Sequence, residues 1–151
     1  MNPDEILSVH VKRRFDASAE RVFDAWLDPE FAARWLFTTE DSEIVRAEID
    51  ARVGGRFTFV DRRKEGDIEH VGEYLEIDRP RRLVFSFAVP MYSPEYDRVT
   101  VEIARLDKGC ELTLTNAMSP EIYAEWGEKT QEGWTMILDA LARELGEDAG
   151  A

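Results

Sequence analysis

The order of the elements constrains this chain more than any cluster of its residues. Period-two alternation marks a strand near the start, two short helical segments follow, then strand after strand with no helix between them, and one long amphipathic helix comes last. A lone antiparallel sheet has to bury one face, and the terminal helix is the available partner to lie across it. The expected architecture is therefore α+β: a curved antiparallel sheet gripping the C-terminal helix, with a pocket between them. That order describes a ligand-holding scaffold.

The local signals agree with it. Leu7, Val9 and Val11 alternate with Ser8, His10 and Lys12 in a strand ending near Phe15. Ser18 can cap a first helix with Val22, Phe23, Trp26 and Leu27 on one face. Asp28 can cap a second, with Pro29 at its first position, Glu30 in its first turn, and Phe31 and Trp35 a turn apart. Helices this short must pack on something larger. Strands are expected over 44–49, 56–61, 68–77 and 82–89, then around Val99, Val101 and Ile103 and around Leu112 and Leu114. Gly54-Gly55 reads as a tight turn or a bulge, Arg62 to Asp67 as a hairpin loop, Pro80 as a break in the ladder, and Pro90-Met91-Tyr92-Ser93-Pro94 as an irregular loop. Ser119-Pro120-Glu121 opens the last helix, which Gly127 and Gly133 are expected to divide into a short piece and a main one. Trp134, Ile137, Leu138, Leu141 and Leu145 form its apolar stripe, and Gly146 stands where a helix C-terminal glycine belongs.

Composition narrows the function. A chain of 151 residues without internal repeat or linker fits a single domain with a real core. With 32 acidic against 19 basic residues, the net charge of -13 repels phosphate backbones and anionic lipid, so neither nucleic acid nor membrane is expected as a partner. The basic groups Lys12-Arg13-Arg14, Arg62-Arg63-Lys64 and Arg79-Pro80-Arg81-Arg82 are short and set in acidic surroundings. Cys110 is the only cysteine, which rules out an internal disulfide and fits a reducing compartment; with no secretory signal and no long apolar run, a cytoplasmic location is expected. His10 and His70 are far apart and belong to no His/Cys cluster, so no metal is expected. No Gly-x-Ser-x-Gly elbow, dinucleotide fingerprint or phosphate loop is present, and no cofactor is expected.

The segment Phe15-Asp16-Ala17-Ser18-Ala19-Glu20-Arg21-Val22-Phe23-Asp24-Ala25-Trp26, with Asp28-Pro29-Glu30 and Arg34-Trp35 after it, resembles the opening of SRPBCC-superfamily domains. Gly54-Gly55-Arg56-Phe57, Gly72-Glu73-Tyr74-Leu75-Glu76-Ile77, Arg79-Pro80-Arg81-Arg82-Leu83 and Gly133-Trp134 extend the likeness over almost the whole chain. It is most similar to the branch named for activators of the heat-shock protein 90 ATPase. The resemblance implies the helix-grip fold shared with START and birch-pollen-allergen-like proteins, a hydrophobic cavity between sheet and terminal helix, and small-molecule binding as the common theme. It also brings two alternatives: an enzyme of the superfamily (cyclase, dehydratase or hydrolase-like), and a chaperone-interacting module.

Pockets for apolar ligands are lined by aromatic and aliphatic side chains with a few polar groups that fix orientation. The candidates here are Trp26 and Trp35 from the short helices, Phe57, Phe59, Phe85 and Phe87 from strands, and Trp134, Ile137, Leu138 and Leu141 from the last helix, with Met91 and Tyr92 as a lid. Plain core packing explains any one of these aromatics, so the cavity is a collective expectation. His70 and Tyr74 share strand parity and can hydrogen-bond a ligand oxygen or act as acid and base. Against this, His70 between Glu69 and Val71 reads first as an exposed residue on the wet face. Asp61 shares parity with Phe57 and Phe59 but reads first as a loop residue, and the acidic groups Glu40, Asp41, Glu43 and Glu69, Glu73 read as solvated charge. Strand edges also leave a homodimer open.

Overall fold

The computed structural model describes residues 7–39, 41–92 and 95–146. Its elements run β1 (Leu7–Phe15), α1 (Ala19–Ala25), α2 (Pro29–Ala32), β2 (Glu43–Ile49), β3 (Arg56–Arg63), β4 (Gly66–Asp78), β5 (Arg82–Phe87), β6 (Asp97–Arg105), β7 (Cys110–Met118) and α3 (Pro120–Glu144). The seven strands form one curved antiparallel sheet in the order β1-β7-β6-β5-β4-β3-β2. β1 and β2 are its two edges, so the chain crosses from one edge to the other through α1 and α2. These helices, α3 and the inward-facing strand residues share a single apolar core.

Caps set the helix boundaries as the sequence predicts. The Ser18 hydroxyl accepts from the Arg21 N–H at 3.1 Å, Asp28 from the Glu30 N–H at 3.1 Å, and Ser119 from the Ile122 N–H at 3.4 Å. Gly146 follows α3 with φ 84°, the left-handed conformation that glycine adopts without a Cβ clash. Arg21 ties α1 to this end of α3 by donating to the Leu145 carbonyl at 3.2 Å.

Gly127 and Gly133 do not divide the last helix, which is continuous from Pro120 to Glu144. Each glycine costs about 1 kcal/mol relative to alanine, and burial of Trp134, Leu138, Leu141 and Ala142 outweighs that. The β3–β4 hairpin is also tighter than expected. Arg63 pairs with Gly66 and Arg62 with Asp67, leaving only Lys64 and Glu65 in the turn. Asp61 therefore belongs to a strand and points inward instead of lying in a loop. Gly54-Gly55 resolves as a turn clipped to β4, with the Gly54 N–H on the Tyr74 carbonyl at 2.9 Å and the Tyr74 N–H on the Gly55 carbonyl at 2.9 Å. Pairing of β5 stops at Phe87, and Ala88 makes only an isolated bridge to Val71.

Alternation decides which side chains meet the helices. In β7, Cys110, Leu112, Leu114, Asn116 and Met118 are buried while the residues between them are partly exposed; Ile68, His70, Gly72 and Tyr74 do the same on β4. Gly72 is required by close approach. A Cβ there would stand 1.9 Å from the Ser86 carbonyl oxygen and 2.5 Å from the Phe57 ring.

Candidate functional site

The aromatic candidates divide into two groups along the concave face. Trp26, Phe57, Phe59, Tyr74 and Phe85 surround, with Leu36, Phe37 and Leu83, a void of only about 10 Å³. Trp26 meets Trp35 edge-on at 4.8 Å, and Phe57 meets Phe85 edge-on at 5.5 Å. Trp35, Leu138 and Leu141 are fully buried beside them. Volume here is filled by interlocking rings, as in an ordinary protein interior.

Further along the same face the packing opens. A pocket of about 210 Å³ lies between the middle of α3 and the sheet, and His70, Phe87, Trp134 and Ile137 line it from the predicted set. Phe37, Thr38, Thr39, Arg63, Thr130, Gly133 and Met136 line it too, and sequence reasoning missed them as site residues. Phe37 is the centre of its wall. Its ring lies 4.9 Å from those of His70 and of Phe87, with planes within 11° and 5° of parallel, and Trp134 meets both phenylalanines edge-on, at 5.8 and 6.1 Å with planes inclined by 63° and 64°. Phe37 holds φ 61°, a left-handed conformation costing a bulky residue on the order of 1–3 kcal/mol, which the stack around it sustains. No sequence signal announced that turn.

Trp134 is fixed by a relay that runs from the core to the partly exposed Asp97. Its indole N–H donates to Asn116 Oδ1 at 2.9 Å, and Asn116 Nδ2 donates to Asp97 Oδ2 at 3.0 Å. Burial raises the Asp97 pKa against the lowering effect of the Asn116 hydrogen bond, and the nearby Glu95 charge adds to the rise. Gly133, one residue away, opens the pocket by lacking a side chain: a Cβ built there meets nothing within 4 Å.

The polar side of the pocket comes from the β3–β4 hairpin. His70 is not on the wet face; it is 6% exposed, and its Nδ1 is buried with no hydrogen-bond partner. Burial first, and then the positive charge of Arg63, lower its pKa to about 4, against smaller opposing effects of the Phe59 and Ile68 carbonyls and of Asp61. The imidazole is therefore neutral at pH 7. Asp61, at 0% exposure, accepts from Thr38 Oγ1 and Ser42 Oγ at 3.0 Å each and from Arg63 Nε at 2.6 Å. That carboxylate is satisfied on every side and holds Arg63 at the pocket.

Tyr74 does not join His70 there. Four residues of extended strand separate them by about 13 Å, so one lines the open pocket and the other the filled interior. Burial, reinforced by the Asp50 charge, raises the Tyr74 pKa and keeps the phenol protonated. The two are too far apart for an acid–base pair on one small molecule. Met91 and Tyr92 are exposed, at 64% and 53%. Tyr92 stacks on Trp126 at 5.8 Å and lines an adjoining groove of about 130 Å³ that shares Phe87 and Thr130 with the pocket. Ser93, Pro94 and Glu40 lie outside the described residues. Among the described residues, no group of His, Cys, Asp and Glu is placed to hold a metal ion, and no helix is long and apolar enough to cross a membrane.

The model of the family described as Activator of Hsp90 ATPase homolog 1-like protein matches residues 16–146. The chain belongs to this family. Solved structures similar to this chain include the AHSA1-like protein from Aeromonas hydrophila, 26% identical with a TM-score of 0.80 over 95% of this chain and 94% of that one. A protein from Chromobacterium violaceum is 27% identical with a TM-score of 0.78, over 90% of this chain and 94% of that one. One from Nitrosomonas europaea, 22% identical over 94% and 96% of the two chains with a TM-score of 0.81, shares the fold. No curated protein matches the sequence. The segments that carried the resemblance have structural work in this member of the family. Asp24 of α1 takes two hydrogen bonds from Arg79, at 2.7 and 2.9 Å, which lower its pKa and dock α1 on the turn before β5.

Proposed function

We propose that the chain is a small-molecule-binding protein whose ligand, apolar or aromatic, occupies the pocket between α3 and the sheet at Phe37, His70, Phe87 and Trp134. One observation carries the reading: a buried, neutral imidazole with an unpartnered Nδ1 lines a hollow walled by parallel aromatic rings. Buried polar atoms are ordinarily hydrogen-bonded, and leaving one unpaired costs roughly 1–3 kcal/mol. A guest with one polar group at its rim would complement the imidazole and Arg63 while its apolar body covers the rings. The size fits a modest guest, since about 150 Å³ suffices for benzene and the pocket measures about 210 Å³.

The family's description names a chaperone ATPase, but the pocket favours ligand binding over that alternative because it concentrates aromatic surface in a concavity instead of on an exposed patch. Gly133→Leu tests the reading. The first atom of the added side chain meets nothing within 4 Å, and the rest extends from a position that lines the pocket. In an NMR screen of single-ring fragments, wild-type protein should show shifts centred on the Trp134 indole and Phe37 that vanish in Gly133→Leu. Binding unchanged by that substitution would overturn the assignment.

A further inference from the structure

We propose that the pocket selects aromatic carboxylates, with the free edge of the Arg63 guanidinium receiving the anion and His70 donating beside it; this rests on the pocket being the ligand site. Of the described residues lining it, Arg63 is the only one charged at neutral pH. A guanidinium offers five donors, and Arg63 uses Nε alone, on Asp61. Its side chain is 30% exposed. The remaining N–H groups are thus held at the pocket by a buried anchor, itself fixed by Thr38 and Ser42, instead of waving from a flexible stem.

Asp61 balances the charge of Arg63 at long range, so recognition is by short, directed hydrogen bonds. The net charge of -13 opposes anion approach at long range, so these directed contacts have to carry the selectivity. His70 contributes the second donor. As a neutral ring lining the pocket, it can present one N–H to a carboxylate oxygen in the corresponding tautomer without adding charge. The slab of Phe37 and Phe87 then takes the ring of the ligand face-on or edge-on. An amine would meet no carboxylate among the described lining residues, and a neutral amide would offer the guanidinium one uncharged acceptor in place of a carboxylate's two charged oxygens.

The test compares 3-phenylpropanoate with 3-phenylpropanamide, which share their ring and length, by calorimetric or NMR titration at pH 7. The acid should bind about tenfold or more tightly than the amide, the range expected for hydrogen bonds to a charged group. Asp61→Asn with Arg63→Gln removes both charges together and so avoids stranding a buried carboxylate. It should erase the preference, so that acid and amide bind within about twofold of one another. Arg63→Lys, which keeps a cation for Asp61 but lacks the second guanidinium edge, should lose most of the preference and serves if the double variant does not fold. Equal affinities in the wild type, a preference for the amide, or an acid preference that survives these variants would each overturn the inference. If acid and amide bind equally and Gly133→Leu abolishes both, the pocket reading stands while the carboxylate selectivity falls. Failure of the acid to bind at all would also overturn it, and the fragment screen decides the pocket reading separately.

Discussion

Around Trp26 the concave face of the sheet is solid, whereas around Trp134 it is hollow, although both regions are built from helix-borne tryptophan and from phenylalanine on the same side of the sheet. The void is about 10 Å³ at one end and about 210 Å³ at the other. Two details separate them. Beside Phe57, Gly72 lets a ring and the β5 backbone close in until no Cβ fits, so an absent side chain there tightens the packing. Beside Trp134, Gly133 faces empty space, so an absent side chain there loosens it. The indoles differ as well: the N–H groups of Trp26 and Trp35 are buried without partners, whereas that of Trp134 is aimed by Asn116. Residue type alone does not distinguish core from site; what lies opposite each side chain does.

The largest test of that contrast is a deletion on the solid side. Phe59→Ala should lower unfolding free energy in denaturant titration by about 3–5 kcal/mol, because the interlocked rings cannot collapse into the gap. A loss below about 1 kcal/mol would mean that this region is not close-packed. Next comes the pH dependence of the hollow side. His70 titrates near 4 when folded and near 6.5 when unfolded, so the unfolded chain binds the extra proton between those values. Its neutral burial contributes fully above pH 6.5 and is lost as pH falls toward 4, by about 3 kcal/mol. Wild-type stability should drop by that much relative to His70→Gln on acidification from about pH 7.5 to about pH 4; parallel profiles would place the imidazole in water in both states. The smallest effect is the sharpest comparison. Gly72→Ala should destabilise by about 1–3 kcal/mol, whereas Gly133→Ala should stabilise by up to about 1 kcal/mol through helix propensity. The same sign at both positions would erase the distinction between the two regions.

Most of the fold was legible because it rests on local signals. Ser18, Asp28 and Ser119 act as caps in the structure, and the alternation through Leu112 and Leu114 marks the inward face of β7. The site was half legible. His70, Phe87, Trp134 and Ile137 were candidates on parity and helix spacing, and the structure brings them together. Phe37 and Arg63 were not, because neither obeys a period: one owes its place to a left-handed turn after α2, the other to a hairpin that pairs two residues further than its charges suggested. Asp61 was misplaced for the same reason.

What the amino-acid order settled by itself was the set of elements, their sequence along the chain and the face each would bury, since caps, periodicity and turn residues act over a few neighbouring positions. Which buried aromatics leave space between them, which histidine is dry, and which arginine is held at an opening were decided only by the tertiary structure. Those properties depend on the distance between atoms far apart in the chain, as between Phe37 and Phe87 or Asn116 and Trp134, and no local pattern encodes a gap.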